Sequence, residues 1–146
     1  MTIEEMKSLL RQIIATDGRR TSADMPAAWH RILGEYSYPD CQQAVEEHYR
    51  ESTEWLTPGH IVKRVRAMRK KRLDSVGSWI EPNSEDLRLE DYSGVTRKLT
   101  EAIASGRMSK AEYEAYQGSR VPFADWAGRE LATTTPEQLH GQPRTA

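Results

Sequence analysis

The chain has 146 residues, is 37% hydrophobic and carries a net charge of -1, a size that supports one modest core, or a small core with a tail, and excludes two full-sized domains. No run approaches the roughly 18 apolar residues of a membrane span, and Thr2, Ile3, Glu4 and Glu5 lack the cationic start and apolar run of a signal peptide, so a cytoplasmic protein is expected. Cys41 is the only cysteine, which excludes an internal disulfide, and with four scattered histidines it leaves too few soft ligands for a structural zinc site.

The first apolar set, Ile3, Met6, Leu9, Leu10, Ile13 and Ile14, recurs at helical spacing. Thr2 with Glu5 is a capping box at its start, and Gly18 ends it. A second helix is predicted from Thr21 or Ser22, with Pro26 near its start, Met25, Trp29, Ile32 and Leu33 on one face and Gly34 as its stop. Ser37 and Pro39 open a third, which carries Tyr38, Cys41, Ala44, Val45, His48 and Tyr49 to about Ser52. In this pattern Cys41 reads as a small buried apolar residue. Thr57 and Pro58 cap a fourth, whose stripe of Ile61, Val62, Val65 and Met68 runs on to about Leu73.

No segment alternates with period two, so the predicted fold is all-α: a small four-helix N-terminal domain over 1–73, then other segments. Residues 74–93, DSVGSWIEPNSEDLRLEDYS, have the composition of a linker. Short helices are expected over 94–131. Val95, Leu99, Ala102 and Ile103 form one amphipathic set, Ser109 with Glu112 caps another around Tyr113 and Tyr116, and a last turn holds Phe123, Trp126 and Leu131. These helices carry too few apolar residues for a core of their own, which leaves them to pack on the first domain or to await a partner. Residues 132–146 read as a disordered tail.

The charge is unevenly distributed. Residues 1–56 net -4, residues 57–73 net +7 with no acidic side chain, and residues 74–146 net -4. Within the basic run, Lys63, Arg64, Arg66, Lys70 and Lys71 fall opposite or beside the apolar stripe, whereas Arg69 and Arg72 fall on it. The stripe therefore fails after Met68, and the helix end is expected to project beyond the core. Such a cationic segment suits the phosphates of a nucleic acid or binding to a partner, and it equally complements the dipole at a helix C-terminus.

Chemistry leaves no signature. There is no HExxH, GxGxxG or GxxxxGK[ST], and no nucleophile, base and oxyanion donors combine, so neither a catalytic site nor a cofactor is expected. His48 stands near Glu47 and Glu51, but the simpler reading is a partly buried histidine with solvated neighbours. His30 and His60 read likewise, and His140 belongs to the tail. Trp29 and Trp55 read as core. Trp79 and Trp126 lie in polar sequence and, with Tyr113 and Tyr116, are the candidate anchors for a protein partner.

Three motifs carry a family resemblance. They are Trp29-x-x-x-Leu33, Tyr38-x-x-Cys41-x-x-Ala44-Val45-x-x-x-Tyr49, and Trp55-Leu56-x-Pro58-x-His60-Ile61 leading into the basic helix. Over residues 3–73 the chain resembles the small phage proteins that load, and in the free state restrain, the DnaB-type replicative helicase. The resemblance implies an N-terminal domain that meets an origin-bound initiator or DNA and a C-terminal region that holds the helicase. The capped helices between Val95 and Gly118 depart from the unstructured tail of that plan. The rival expectation is a small helical DNA-binding protein, regulatory or of packaging type, that lays the basic helix 57–73 on the phosphate backbone.

Overall fold

The computed structural model of the chain describes residues 1–88 and 91–130, the last of these by its backbone alone. The expected tail 132–146, with Leu131 and His140, lies outside the described residues. Among those described, the structure is all-helical: α1 (Ile3–Asp17), α2 (Met25–Leu33), α3 (Tyr38–Glu51), α4 (Pro58–Val76), a 3-10 turn (Asp86–Arg88), α5 (Tyr92–Ala104), α6 (Lys110–Gly118) and α7 (Phe123–Glu130). No helix among them is long and apolar enough to cross a membrane.

The chain divides into two compact units, Met1–Lys71 and Arg72 onward. In the first, α1 begins at the Thr2–Glu5 capping box and ends at Gly18, whose positive φ of 67° places it in the left-handed region that favours glycine. The helix buries Met6, Leu9, Leu10 and Ile13. They meet Trp29 and Leu33 of α2, Cys41, Ala44 and Val45 of α3, Ile61 and Val65 of α4, and Leu56 from the preceding loop, in one apolar cluster. Helix α2 starts at Met25, later than its sequence predicts, because Asp24 precedes it without a side-chain cap and Pro26 falls in the first turn.

The second unit corrects two expectations. Its helices do form a core: Val95, Leu99, Ala102, Ile103, Met108, Tyr113, Tyr116, Phe123 and Trp126 are buried together, with Leu73, Val76, Ile80, Val121 and Ala127 packed against them. The aromatic rings make this possible with so few aliphatic residues. Tyr116 meets Phe123 and Trp126 edge-on, at 5.6 and 5.8 Å between ring centroids, and such rings bury large areas per residue.

Residues 74–93 are also more than a linker in their described part. Asn83 and Asp86 are buried. The Asn83 amide donates to Val121 O at 2.9 Å and Tyr116 O at 3.2 Å, its backbone N–H donates to the Tyr116 hydroxyl at 2.9 Å, and its Oδ1 accepts from the Glu85 and Asp86 N–H groups. The Tyr116 hydroxyl donates to Asp86 Oδ2 at 2.6 Å. Paired in this way, polar side chains act as packing elements, since burial without partners would cost several kcal/mol. Leu89 and Glu90 of this stretch lie outside the described residues.

The end of α4 does not project. Within the second unit Arg72 donates to the Ala104 carbonyl at 3.0 Å, while Leu73 and Val76 lie on the aromatic cluster. At Gly106, with φ of 75°, a Cβ would stand 3.1 Å from the Arg72 guanidinium carbon. The positive φ favours glycine here, and a Cβ would also require the Arg72 side chain to give by a few tenths of an ångström.

Candidate interaction surfaces

The basic face comes from the pattern of α4. Ile61 and Val65 are buried and Met68 packs on the first core, which turns Lys63, Arg66 and Lys70 to the opposite side of the helix, with Lys71 beside them, all exposed. Arg64 differs. Its guanidinium contacts Glu51 at 2.8 Å and Glu47 at 3.9 Å, so its charge is answered within the first unit. Arg66 Nε donates to the Tyr36 hydroxyl at 3.2 Å, which fixes the stem while the residue stays exposed. The structure thus brings Lys63, Arg66, Lys70 and Lys71 to one exposed surface and ties Arg64 to α3.

Of the four expected anchors, only Trp79 stands out of the protein, at 81% exposure. Tyr113, Tyr116 and Trp126 are buried in the second core. Tyr113 and Tyr116 share the short α6 and Trp126 lies on the short α7, and neither helix is apolar enough alone to reveal that their faces converge. Trp79 is followed at once by anchored chain. The Glu81 N–H donates to the Tyr113 hydroxyl at 3.0 Å, that hydroxyl donates back to Glu81 O at 3.2 Å, and the Gln117 amide also donates to Glu81 O.

Trp55 is 60% exposed rather than a core residue, whereas Trp29 is 9% exposed. Trp55 lies over the buried Arg19 guanidinium, its centroid 4.5 Å from Cζ, and Trp29 lies 5.4 Å from the same atom. Arg19 is held by Asp17 through Nε at 2.9 and 3.0 Å and through Nη2, which also donates to Leu56 O at 3.0 Å. Tyr49 adds its hydroxyl to Asp17 at 2.6 Å. The Arg19 hydrogen bonds, helped by Tyr49, hold the Asp17 carboxyl at about 2 against the opposing effect of burial.

The histidines make structural contacts. His48 is buried more fully than its sequence context predicts and donates from Nε2 to Glu54 O at 2.8 Å, with its ring stacked 5.0 Å from that of His60. His30 Nε2 donates to Met1 O at 2.8 Å. Cys41 is buried, and burial first, with Asp40 second, pushes its thiol up to about 12. Among the described residues no three His, Cys, Asp or Glu side chains are grouped to hold a metal.

The second unit also holds a groove of about 670 Å³ that the sequence does not predict, lined by Arg97, Lys98, Thr100, Glu101 and Ala102 of α5, by Phe123 and Ala127 of α7, and by Arg107. The adjacent Arg97 and Lys98 on the outer face of an amphipathic helix were the available signal.

Comparison with family models, with curated proteins and with solved structures gave no match to this chain.

Proposed function

We propose that the protein is a helical adaptor of DNA replication that binds, loads and in the free state restrains a DnaB-type replicative helicase in the cytoplasm. In this reading four N-terminal helices form one domain facing an origin-bound initiator or DNA, the second unit grips the helicase, and no catalytic group or cofactor takes part. The observation that carries it is Trp79, 81% exposed and directly followed by a segment pinned through Glu81 and Asn83. An exposed aromatic side chain next to backbone that is already anchored asks little further ordering of the main chain on binding, which favours a protein partner at this point. Full-length protein mixed with a replicative helicase should elute with it in size-exclusion chromatography, and Trp79→Ala should weaken the complex by about tenfold or more. No complex with the full-length protein would sink the reading.

A second reading draws on a different observation, the exposed cationic face of Lys63, Arg66, Lys70 and Lys71. A DNA-binding protein using these four groups would show log affinity falling against log salt with a slope of about -3 to -4. The slope should shrink on Lys63→Ala or Lys70→Ala, while Arg64→Ala, whose side chain is engaged by Glu51 and Glu47, should alter it less.

A further inference from the structure

Three of the residues lining the groove of the second unit are cations, although residues 74–146 net -4. Arg97, Lys98 and Arg107 are all exposed, and among the described residues none of them has an ion pair. Among the described residues Arg107 has the Ser105 hydroxyl alone, at 3.1 Å from its Nε. Arg88 and Lys110, also exposed in this unit, are matched to Glu85 and Glu114, whereas Arg120 and Arg129, outside the groove, have no ion pair among the described residues either. Glu101, the one acidic residue among the described lining residues, already has an interaction within the protein.

Beneath the cations the floor is apolar, made by Ala102, Phe123 and Ala127. Small side chains at two of these positions open the space between α5 and α7. Positive charge without an ion pair among the described residues, around an apolar floor, is complementary to a segment with carboxylates flanking an apolar stripe. A nucleic acid fits less well, since its phosphates would gain nothing from the apolar floor.

We propose that this groove is the docking site for an acidic amphipathic helix of a protein partner, its apolar side chains on Ala102, Phe123 and Ala127 and its carboxylates against Arg97, Lys98 and Arg107. The assignment deepens the adaptor reading and rests on it in one respect, that the ligand belongs to a protein.

The test uses the full chain, labelled with ¹⁵N, and a synthetic helical peptide with leucines on one face flanked by glutamates. Binding should shift amide resonances of α5 and α7 around the groove. Arg97→Glu with Lys98→Glu should weaken it by about tenfold or more, and Ala127→Arg, which fills the floor without removing a rim charge, should weaken it similarly. Lys110→Glu, outside the groove and likewise a charge reversal, should leave it unchanged. Unaltered amide spectra away from the substitutions show that the variants remain folded.

Shifts centred elsewhere, equal affinity for a peptide with its glutamates replaced by glutamines, or binding of a single-stranded oligonucleotide in this groove in place of the peptide would each overturn the assignment. The adaptor reading is tested apart from it. A helicase complex that forms undiminished with both groove variants, when the peptide shows no charge-dependent binding, leaves the adaptor and removes the groove, whereas charge-dependent peptide binding without any helicase complex leaves the groove and removes the helicase.

Discussion

Asp86 and Phe123, 37 positions apart, are joined by a hydrogen bond of 2.7 Å from the Phe123 N–H to Asp86 Oδ2. Phe123 is the first residue of α7, so a carboxylate from a distant turn serves as its N-terminal cap. The same oxygen accepts from the Tyr116 hydroxyl at 2.6 Å. One acid thereby secures a helix start and the central ring of the second core. An anion at this end also complements the helix dipole.

Asp86→Ala should therefore destabilise the protein by about 2–4 kcal/mol, because it removes a cap and leaves a buried hydroxyl and a buried N–H without an acceptor. Asp86→Asn, which keeps one acceptor oxygen, should cost less. Urea denaturation followed by circular dichroism measures both, and an alanine variant within about 0.5 kcal/mol of the parent would show that water satisfies these donors instead.

The two tryptophans around Arg19 should separate sharply. Trp29 is buried among Leu33 and its neighbours in the first core, so Trp29→Ala should cost about 3–5 kcal/mol. Trp55 offers the protein mainly one face, over the Arg19 guanidinium, and an exposed cation–π contact contributes about 0.5–1 kcal/mol. Trp55→Ala should lower stability by no more than about that amount. Equal losses in the two variants, measured by the same denaturation, would refute the assignment of their roles.

What could be read directly from the chain was whatever depends on neighbours in sequence. The Thr2–Glu5 and Ser109–Glu112 capping boxes both form as their spacing predicts, since three residues contain all the geometry they need. The stripe of α1 is likewise complete in itself. Asn83 and Asp86 were hidden because their distant partners, Tyr116, Val121 and Phe123, lie 30 to 38 residues away, and short polar residues among glycine, proline and serine look the same in a linker as in a buried hub. Trp55 misled for a related reason. It neighbours the buried Leu56, and only the position of Arg19 decides which way the ring turns. The basic run was visible, yet the ion pairs from Glu51 and Glu47 that withdraw Arg64 from it depend on how α3 lies against α4.

Cys41 should be inert in the folded protein. It is fully buried, and burial with the nearby Asp40 pushes its thiol up to about 12, which leaves almost no thiolate at neutral pH. A thiol reagent added at pH 8 should label it only as fast as the first unit opens, and saturating urea should restore the rate of a free cysteine. Rapid labelling of the native protein would mean that α3 is not packed as described.

The Asp17, Arg19 and Tyr49 cluster should set opposite pH limits on stability. Asp17 is lowered from 3.8 to about 2, chiefly by its hydrogen bonds from Arg19. A lowered carboxyl contributes stability that is full above its unfolded value and is lost as the pH falls through the folded one, so the loss should lie between about pH 4 and pH 2. Tyr49 is raised from 10.0 to about 12, first by burial and then by its bond to Asp17. Its contribution is full below about pH 10 and disappears as the pH rises to about 12. Asp17→Asn should flatten the acid limb of unfolding free energy against pH, and Tyr49→Phe should flatten the alkaline limb, each by about 1–3 kcal/mol across its window. Acid limbs of the same slope in the parent and in Asp17→Asn would show that the Arg19 pair does not hold this carboxyl in its charged form.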